Sequence, residues 1–316
     1  MAKSGDILDS LNAALPRTEA TNLRYSGLDM WSSGDALQAM LSVQRASIEA
    51  VNAALPTIAV AAEAIAERMK IGGRLIYVGA GSSGLLAQVD ALELPGTFGF
   101  DPDQIRVVIA GGESALKQIT GSAEDDIDAA IDAILALNPA RKDCMVAVSA
   151  SGKTPFAVAA LKLAHANRCL TVAIANNPVT PLLEVAEHAI LVETPPEVIA
   201  GSTRMGAGTA QKCVLNLLST LVALRLGKVH DGLMVNMQVS NEKLRLRAAN
   251  IVAQAANVDH TTAKFALHRA DSQIKPAILL ASGASDVAHA TQILKNHDGN
   301  VRAALAHLGL GPRTAH

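Results

Sequence analysis

Five short apolar runs limit what this chain can fold into more than any other feature. They are LIYVGA (75–80), IRVVIAG (105–111), CMVAVSA (144–150), CLTVAIAN (169–176) and HAILVE (188–193). Each is nearly continuous in hydrophobicity, which suits a strand covered on both faces, and helical patterns such as PFAVAALKLAHAN separate them. Such an alternation predicts an α/β fold, a doubly wound and mainly parallel five-stranded sheet, with its chemistry at the carboxyl ends of the strands. Ahead of the sheet, residues 34–69 read as a helical arm with a break or kink at Pro56. Beyond it, STRMGAGTAQKCVLNLLSTLVALRLG reads as one long helix from 202, stopped at Gly227. A further helix covers about 237–256, and three short amphipathic segments fill 258–312 as a small helical bundle. The expected domains are 1–257, the sheet with its helical arm, and 258–316, the bundle.

Composition removes several function classes. Aromatic residues are 2% of the chain and the formal charge is −2, so neither a base-stacking platform nor a basic footprint is present. A nucleic acid or an anionic membrane is therefore not an expected partner. Cys144, Cys169 and Cys213 lack C-x-x-C spacing and read as buried reduced thiols. The N-terminus has no signal-peptide core, and VLNLLSTLVALRL (214–226) is short for a bilayer, so a cytoplasmic protein is expected.

Two loops carry the chemical signal. In RLIYVGAGSSGLLAQVD, Gly79, Gly81 and Gly84 match the letters of the dinucleotide fingerprint. That reading needs a compact strand–helix–strand unit ending in an acid, and ELPGTFGFDPDQ reads as an interruption of the helix, so NAD is set aside. What remains is an anion cradle: glycines, helix-start N–H groups and the hydroxyls of Ser82 and Ser83. A second loop, SASGKTP, brings Ser149, Ser151, Gly152, Lys153 and Thr154 to the end of the third strand. It departs from a P-loop at Ala147 and Pro155, so a small phosphorylated polyol fits the two loops better than a nucleoside triphosphate. Of the carboxylates, Glu93 lies in an apolar, proline-bounded segment where burial would raise its pKa. From its residues alone SAEDD, containing Glu124, reads as a helix cap followed by acids favoured by the dipole ahead of a catalytic carboxylate. Glu113 reads as a solvated turn residue, and no histidine pair has metal-ligand spacing.

Taken together, GAGSSG, DALELPGTFG, IAGGESAL, GSAEDD, ASGKTP, EVIAGSTRMGAGTAQK and MVNMQVSNEKL resemble the N-acetylmuramic acid 6-phosphate etherases. These belong to the sugar isomerase (SIS) domain superfamily, as does the glucokinase regulatory protein. The similarity runs from TEATN (18–22) through the helical tail, and 197–212 is its most specific part. The resemblance implies a SIS domain followed by a small UBA-like helical domain. It also implies a homodimer whose active sites borrow residues from the partner subunit, a phosphorylated amino sugar as substrate, and neither metal nor organic cofactor. The family cleaves the ether between D-lactate and C3 of the sugar by elimination and then hydration.

By the same resemblance Glu93 is the acid and Glu124 the base, with Ser149, Ser151 and Thr154 on the phosphate. Gly81, Ser82 and Ser83 line the sugar, and Glu197, Ser202, Thr203 and Arg204 begin the long helix beside the substrate. The chain departs from the family pattern at Leu85 and Leu86 (usually Arg after the first loop), Leu92 (Ser), Gly96 (Pro), Gly206 (Lys) and Asn236 (Asp). Two of these changes remove cations. An aldose–ketose phosphosugar isomerase and a non-catalytic sugar-phosphate sensor are the alternatives at this point.

Overall fold

The computed structural model describes residues 15–310. Its sheet is built from β1 (Leu75–Gly79), β2 (Ile105–Ile109), β3 (Cys144–Ser149), β4 (Leu170–Ala175) and β5 (His188–Leu191). The order is β2-β1-β3-β4-β5 and every pairing is parallel. All residues of β1, β3 and β4 are buried, which is why their sequences are apolar without alternation. The winding reverses between β1 and β3, whose ends pair as Gly79 with Val148. A crevice outside the strand ends at such a switch point is where open α/β sheets bind their ligands.

Around the sheet run α1 (Ser33–Glu49), α2 (Leu55–Lys70), α3 (Gly81–Phe98), α4 (Ile127–Leu137), α5 (Pro155–Ala166), α6 (Pro181–Val185) and α7 (Gly206–Arg225). A 3₁₀ turn, Ala50–Ala54, separates α1 from α2, so the break expected at Pro56 falls just before it and Pro56 sits in the first turn of α2. The tail holds α8 (Glu242–Ala256), α9 (His260–Arg269), α10 (Ile274–Ala281), α11 (Val287–Asn296) and α12 (Val301–His307). Among the described residues four helices therefore follow residue 257, where the pattern predicted three segments.

The chain divides into two compact units. One comprises the chain up to Ala91 and Asp103–Ser219, the other Leu92–Pro102 and the chain from Thr220 onward. The first contains the sheet, with Ile76, Val78, Met145, Phe156 and Leu161 in its core. In the second, Val235, Ala249, Val252, Ile278 and Ile293 share one apolar cluster.

Three further expectations change. Helix α3 runs through Pro95 to Phe98, because a proline four residues from the end removes one hydrogen bond only and Gly99 N–H still reaches Pro95 O at 2.9 Å. Helix α7 starts at Gly206, not 202; the residues before it form turns. At 20 residues α7 is long enough to cross a membrane by length and composition, as is the stretch Ser33–Lys70. Much of α7 is spent on packing, with Ala207, Ala210, Val214, Leu215 and Leu218 buried. The cysteines are free thiols, Cys144 and Cys169 buried and Cys213 half-buried. Burial pushes the Cys169 thiol up to about 11.

Candidate active site

Three loops gather at the carboxyl edge of the sheet, following β2, β1 and β3. In the β1 loop, glycine is required by close approach: a Cβ at Gly79 would lie 2.8 Å from Gly84 Cα, and one at Gly84 would meet Ile109 Cγ1 at 2.8 Å. These glycines let the first turn of α3 press onto the strand ends. Gly81 opens the helix at φ +53°, and Ser82 and Ser83 follow in its first turn, both half-buried. The N–H groups of that turn have no earlier helical carbonyl to bond, apart from Gly84 N–H, which donates to Ala80 O at 3.0 Å.

Glu124 comes to the same place from the β2 side. It sits in a 3₁₀ turn, Gly121–Asp125, and a Cβ on Gly81 would stand 3.0 Å from its Oε1. The carboxylate thus lies against the glycine loop, in the space a side chain at position 81 would take. Burial holds the Glu124 carboxyl above its ordinary range, and the Asp125 charge adds to the effect. The capping reading of SAEDD is corrected: Asp126 caps α4, accepting from Ala129 N–H at 2.9 Å, and leaves Glu124 to face Gly81.

The β3 loop assembles a cluster of hydroxyls. Ser149 Oγ lies 2.8 Å from Thr154 Oγ1 and 3.3 Å from Ser151 Oγ, and it accepts from Gly152 N–H at 3.1 Å. Ser151 Oγ accepts from Lys153 N–H, also at 3.1 Å. Thr154 precedes α5 without capping it through its side chain. Three hydroxyls and a helix start can offer several donors to one anionic oxygen group without a buried cation.

The remaining predicted residues come from other segments of the chain. Glu193 and Arg17 form an exposed ion pair, whereas Glu197 is buried, with Oε2 accepting from Gly206 N–H and Oε1 from Ala207 N–H, each at 2.9 Å. Glu197 caps α7 from nine residues upstream, so an internal carboxylate already occupies this helix start. Burial raises its pKa, and those two N–H groups oppose the shift. Ser202 and Thr203 are half-buried in the turn before α7, and Arg204 is exposed. Glu93 is exposed on α3, where its apolar, proline-bounded segment led to an expectation of burial. Glu113 is exposed in a turn, as expected.

The dinucleotide argument needs revision as well. The crossover from β1 to β2 is one continuous helix and a short 3₁₀ turn (Pro102–Gln104), not an interrupted one. What departs from a dinucleotide site is the end of β2, which runs into Gly111 and Gly112 with no carboxylate before the exposed Glu113. Among the described residues, no three His, Cys, Asp or Glu side chains are grouped to hold a metal ion.

Sequence reasoning missed two buried groups. Asp90, on α3, accepts from Tyr77 OH at 2.8 Å, Asn216 Nδ2 at 2.9 Å and Ser219 Oγ at 3.2 Å. It ties α3 to β1 and α7; burial raises its pKa, against the pull of those hydrogen bonds. Thr180, ahead of α6, is fully buried against Gly152 of the hydroxyl loop. The T-P pair at 180–181 signals a helix start and nothing about a neighbouring loop.

Known proteins match this chain along most of its length. The family model "Glucokinase regulatory protein N-terminal SIS domain" matches residues 57–165, and the model "SIS domain" matches 115–221. N-acetylmuramic acid 6-phosphate etherase 1 of Enterococcus faecalis is 40% identical over 92% of this chain and 96% of its own. The etherase of Streptomyces avermitilis is 42% identical over 92% and 93%, and that of Salmonella agona 40% over 92% and 98%. Identity of that extent, across the sheet, the three loops and the helical tail, assigns the chain to the N-acetylmuramic acid 6-phosphate etherase family.

Proposed function

We propose that this protein is a carbon–oxygen lyase that converts N-acetylmuramic acid 6-phosphate and water into N-acetylglucosamine 6-phosphate and D-lactate. The observation that carries the reading is the Glu124 carboxylate, half-buried and seated against Gly81 beside the hydroxyl loop of β3. Ser149, Ser151 and Thr154 take the 6-phosphate, and Gly81, Ser82 and Ser83 line the sugar. In the open-chain aldehyde the C2 proton is acidic, and Glu124 removes it. The C3–O bond then breaks, with Glu93 giving its proton to the departing lactate oxygen. Water adds to C3 of the unsaturated aldehyde and the proton returns to C2. The names of the relatives favour this elimination over aldose–ketose isomerisation.

Helix geometry supports a homodimer with shared sites. Glu93 is twelve residues beyond Gly81 on one helix, a rise of about 18 Å. That is too far for Glu93 to act on the same sugar carbon as the Glu124 that touches Gly81. The acid is therefore assigned to a second copy of the chain, with Val89 and Leu92, both exposed on α3, as part of the surface that meets it. Peptidoglycan recycling in the cytoplasm is the matching physiological role.

The test is to incubate the purified protein with N-acetylmuramic acid 6-phosphate and measure D-lactate, then repeat in deuterated water to follow exchange at C2. Wild-type protein should release lactate, and Glu124→Ala should abolish both release and exchange. Exchange persisting in Glu124→Ala would remove Glu124 from the role of base.

A further inference from the structure

Thr180 stands where a helix cap would stand, and it does not cap. It directly precedes α6 with extended backbone, and Pro181 takes the first helical position. A threonine there ordinarily accepts from the second or third N–H of its helix. Here Leu182 N–H donates instead to Gly152 O, at 3.1 Å, and the Thr180 side chain makes no capping hydrogen bond. It is turned onto the hydroxyl loop: a Cβ placed on Gly152 would overlap Thr180 Oγ1 and lie 2.7 Å from its Cβ and 2.8 Å from its Cγ2. Gly152 has φ +65°, so both its conformation and this contact require glycine. Thr180 is 0% exposed, and its Oγ1 has no hydrogen-bond partner. The start of α6 has thus given both an N–H and its capping hydroxyl to one residue of the β3 loop.

A buried hydroxyl without a partner is unfavourable, and valine would fill the same volume without that cost. We infer that Thr180 is a positioning residue for the β3 loop, whose hydroxyl gains its hydrogen bond when an anionic phosphate group occupies that loop. With the loop as it stands, Gly152 N–H is turned inward, onto Ser149 O and Ser149 Oγ, both at 3.1 Å. A phosphate drawing Ser149, Ser151, Thr154 and the Gly152 N–H outward leaves loop backbone on the buried side short of a donor. The Thr180 O–H, lying directly beneath Gly152, supplies it. The ligand class is a phosphomonoester, and the inference rests on the phosphate-loop reading given above.

The experiment measures binding of N-acetylglucosamine 6-phosphate to the full chain by titration calorimetry, with thermal unfolding recorded for each variant. Thr180→Val should weaken binding by about fivefold or more, the scale of one lost hydrogen bond, while unfolding at or above the wild-type temperature. Thr180→Ser, which keeps the hydroxyl, should bind within about threefold of wild type. A Thr180→Val protein that loses less than about fivefold overturns the inference, because a residue that only fills space would behave in that way. If the valine variant fails to fold, Thr180→Ala is read against the same threshold. Ser151→Ala separates the two readings. Normal binding by that variant, or none by wild type, overturns the phosphate loop and this inference together. Weak binding by Ser151→Ala beside normal binding by Thr180→Val overturns the inference alone.

Discussion

A base that takes a proton from carbon must be ionised at the working pH and still hold the proton well once it has it. Burial holds the Glu124 carboxyl above its ordinary range and the Asp125 charge raises it further, which moves the base proposed above toward that compromise. As the base proposed above, Glu124 is protonated and unable to act below its folded pKa, so kcat/KM should fall on the acid side, with a limb above the ordinary glutamate range. Asp125→Asn removes the like charge, lowers that pKa and should shift the limb to lower pH in a pH profile of D-lactate release. A limb that stays in place would leave burial as the sole cause. Not all of this was legible in sequence. GSAEDD marks a turn rich in acids, but which acid caps the helix and which faces Gly81 depends on the path of a 3₁₀ turn that no periodicity encodes. Glu197 was illegible for a related reason, since its partners are the N–H groups of a helix starting nine residues later.

At the scale of elements, the register between β1 and β3 is held by one buried carboxylate. Asp143, just before β3, accepts from Arg74 N–H at 2.9 Å, from Arg74 Nη2 at 2.6 Å and from Ala140 N–H at 2.9 Å. Cys144 N–H returns a bond to Arg74 O at 2.8 Å. Burial pushes the Asp143 carboxyl up, but the Arg74 guanidinium and the two N–H groups outweigh it and hold it below its usual value. A depressed carboxylate contributes stability that is present above its unfolded pKa and lost as the pH falls through the folded one. Arg74→Ala should therefore cost about 3 kcal/mol in urea unfolding, the low end for breaking a buried pair. The low end applies because the Arg74 side chain keeps 24% of its surface exposed. The variant's stability should also depend less on pH in the acid range. The five strands themselves were legible to within two residues, and for β1, β3 and β4 burial on both faces leaves no polar gaps to blur the ends. The extent of α3 was not: Pro95 and Gly96 carry the local signature of a break, and capping beyond them overrides it, with Asn236 Nδ2 donating to Phe98 O at 2.9 Å.

For the molecule as a whole, exposed apolar side chains are the candidate surface for the homodimer proposed above. Leu37, Leu41 and Ile48 line α1, and Leu92, 69% exposed, lies beside Glu93 on α3. If Glu93 of one copy completes the site of another, then Glu93→Gln and Glu124→Gln proteins, each inactive alone, should restore activity when subunits are exchanged. Random reassortment makes half of the dimers mixed with one intact site in two, so about a quarter of wild-type activity should return. A mixture that stays inactive after confirmed exchange would place both carboxylates in one chain. A different consequence follows from Asn177, at the end of β4. Its Nδ2 donates to Ala150 O at 2.9 Å and to Thr18 Oγ1 at 3.0 Å, across a separation of 159 residues. Thr18 is wholly buried, and the chain around it is seated by a residue made much later. At ordinary translation speeds Asn177 leaves the ribosome about 8–30 s after Thr18. Through that interval the earliest of the described residues wait, and they take their place only as the loop after β3 acquires its final neighbour.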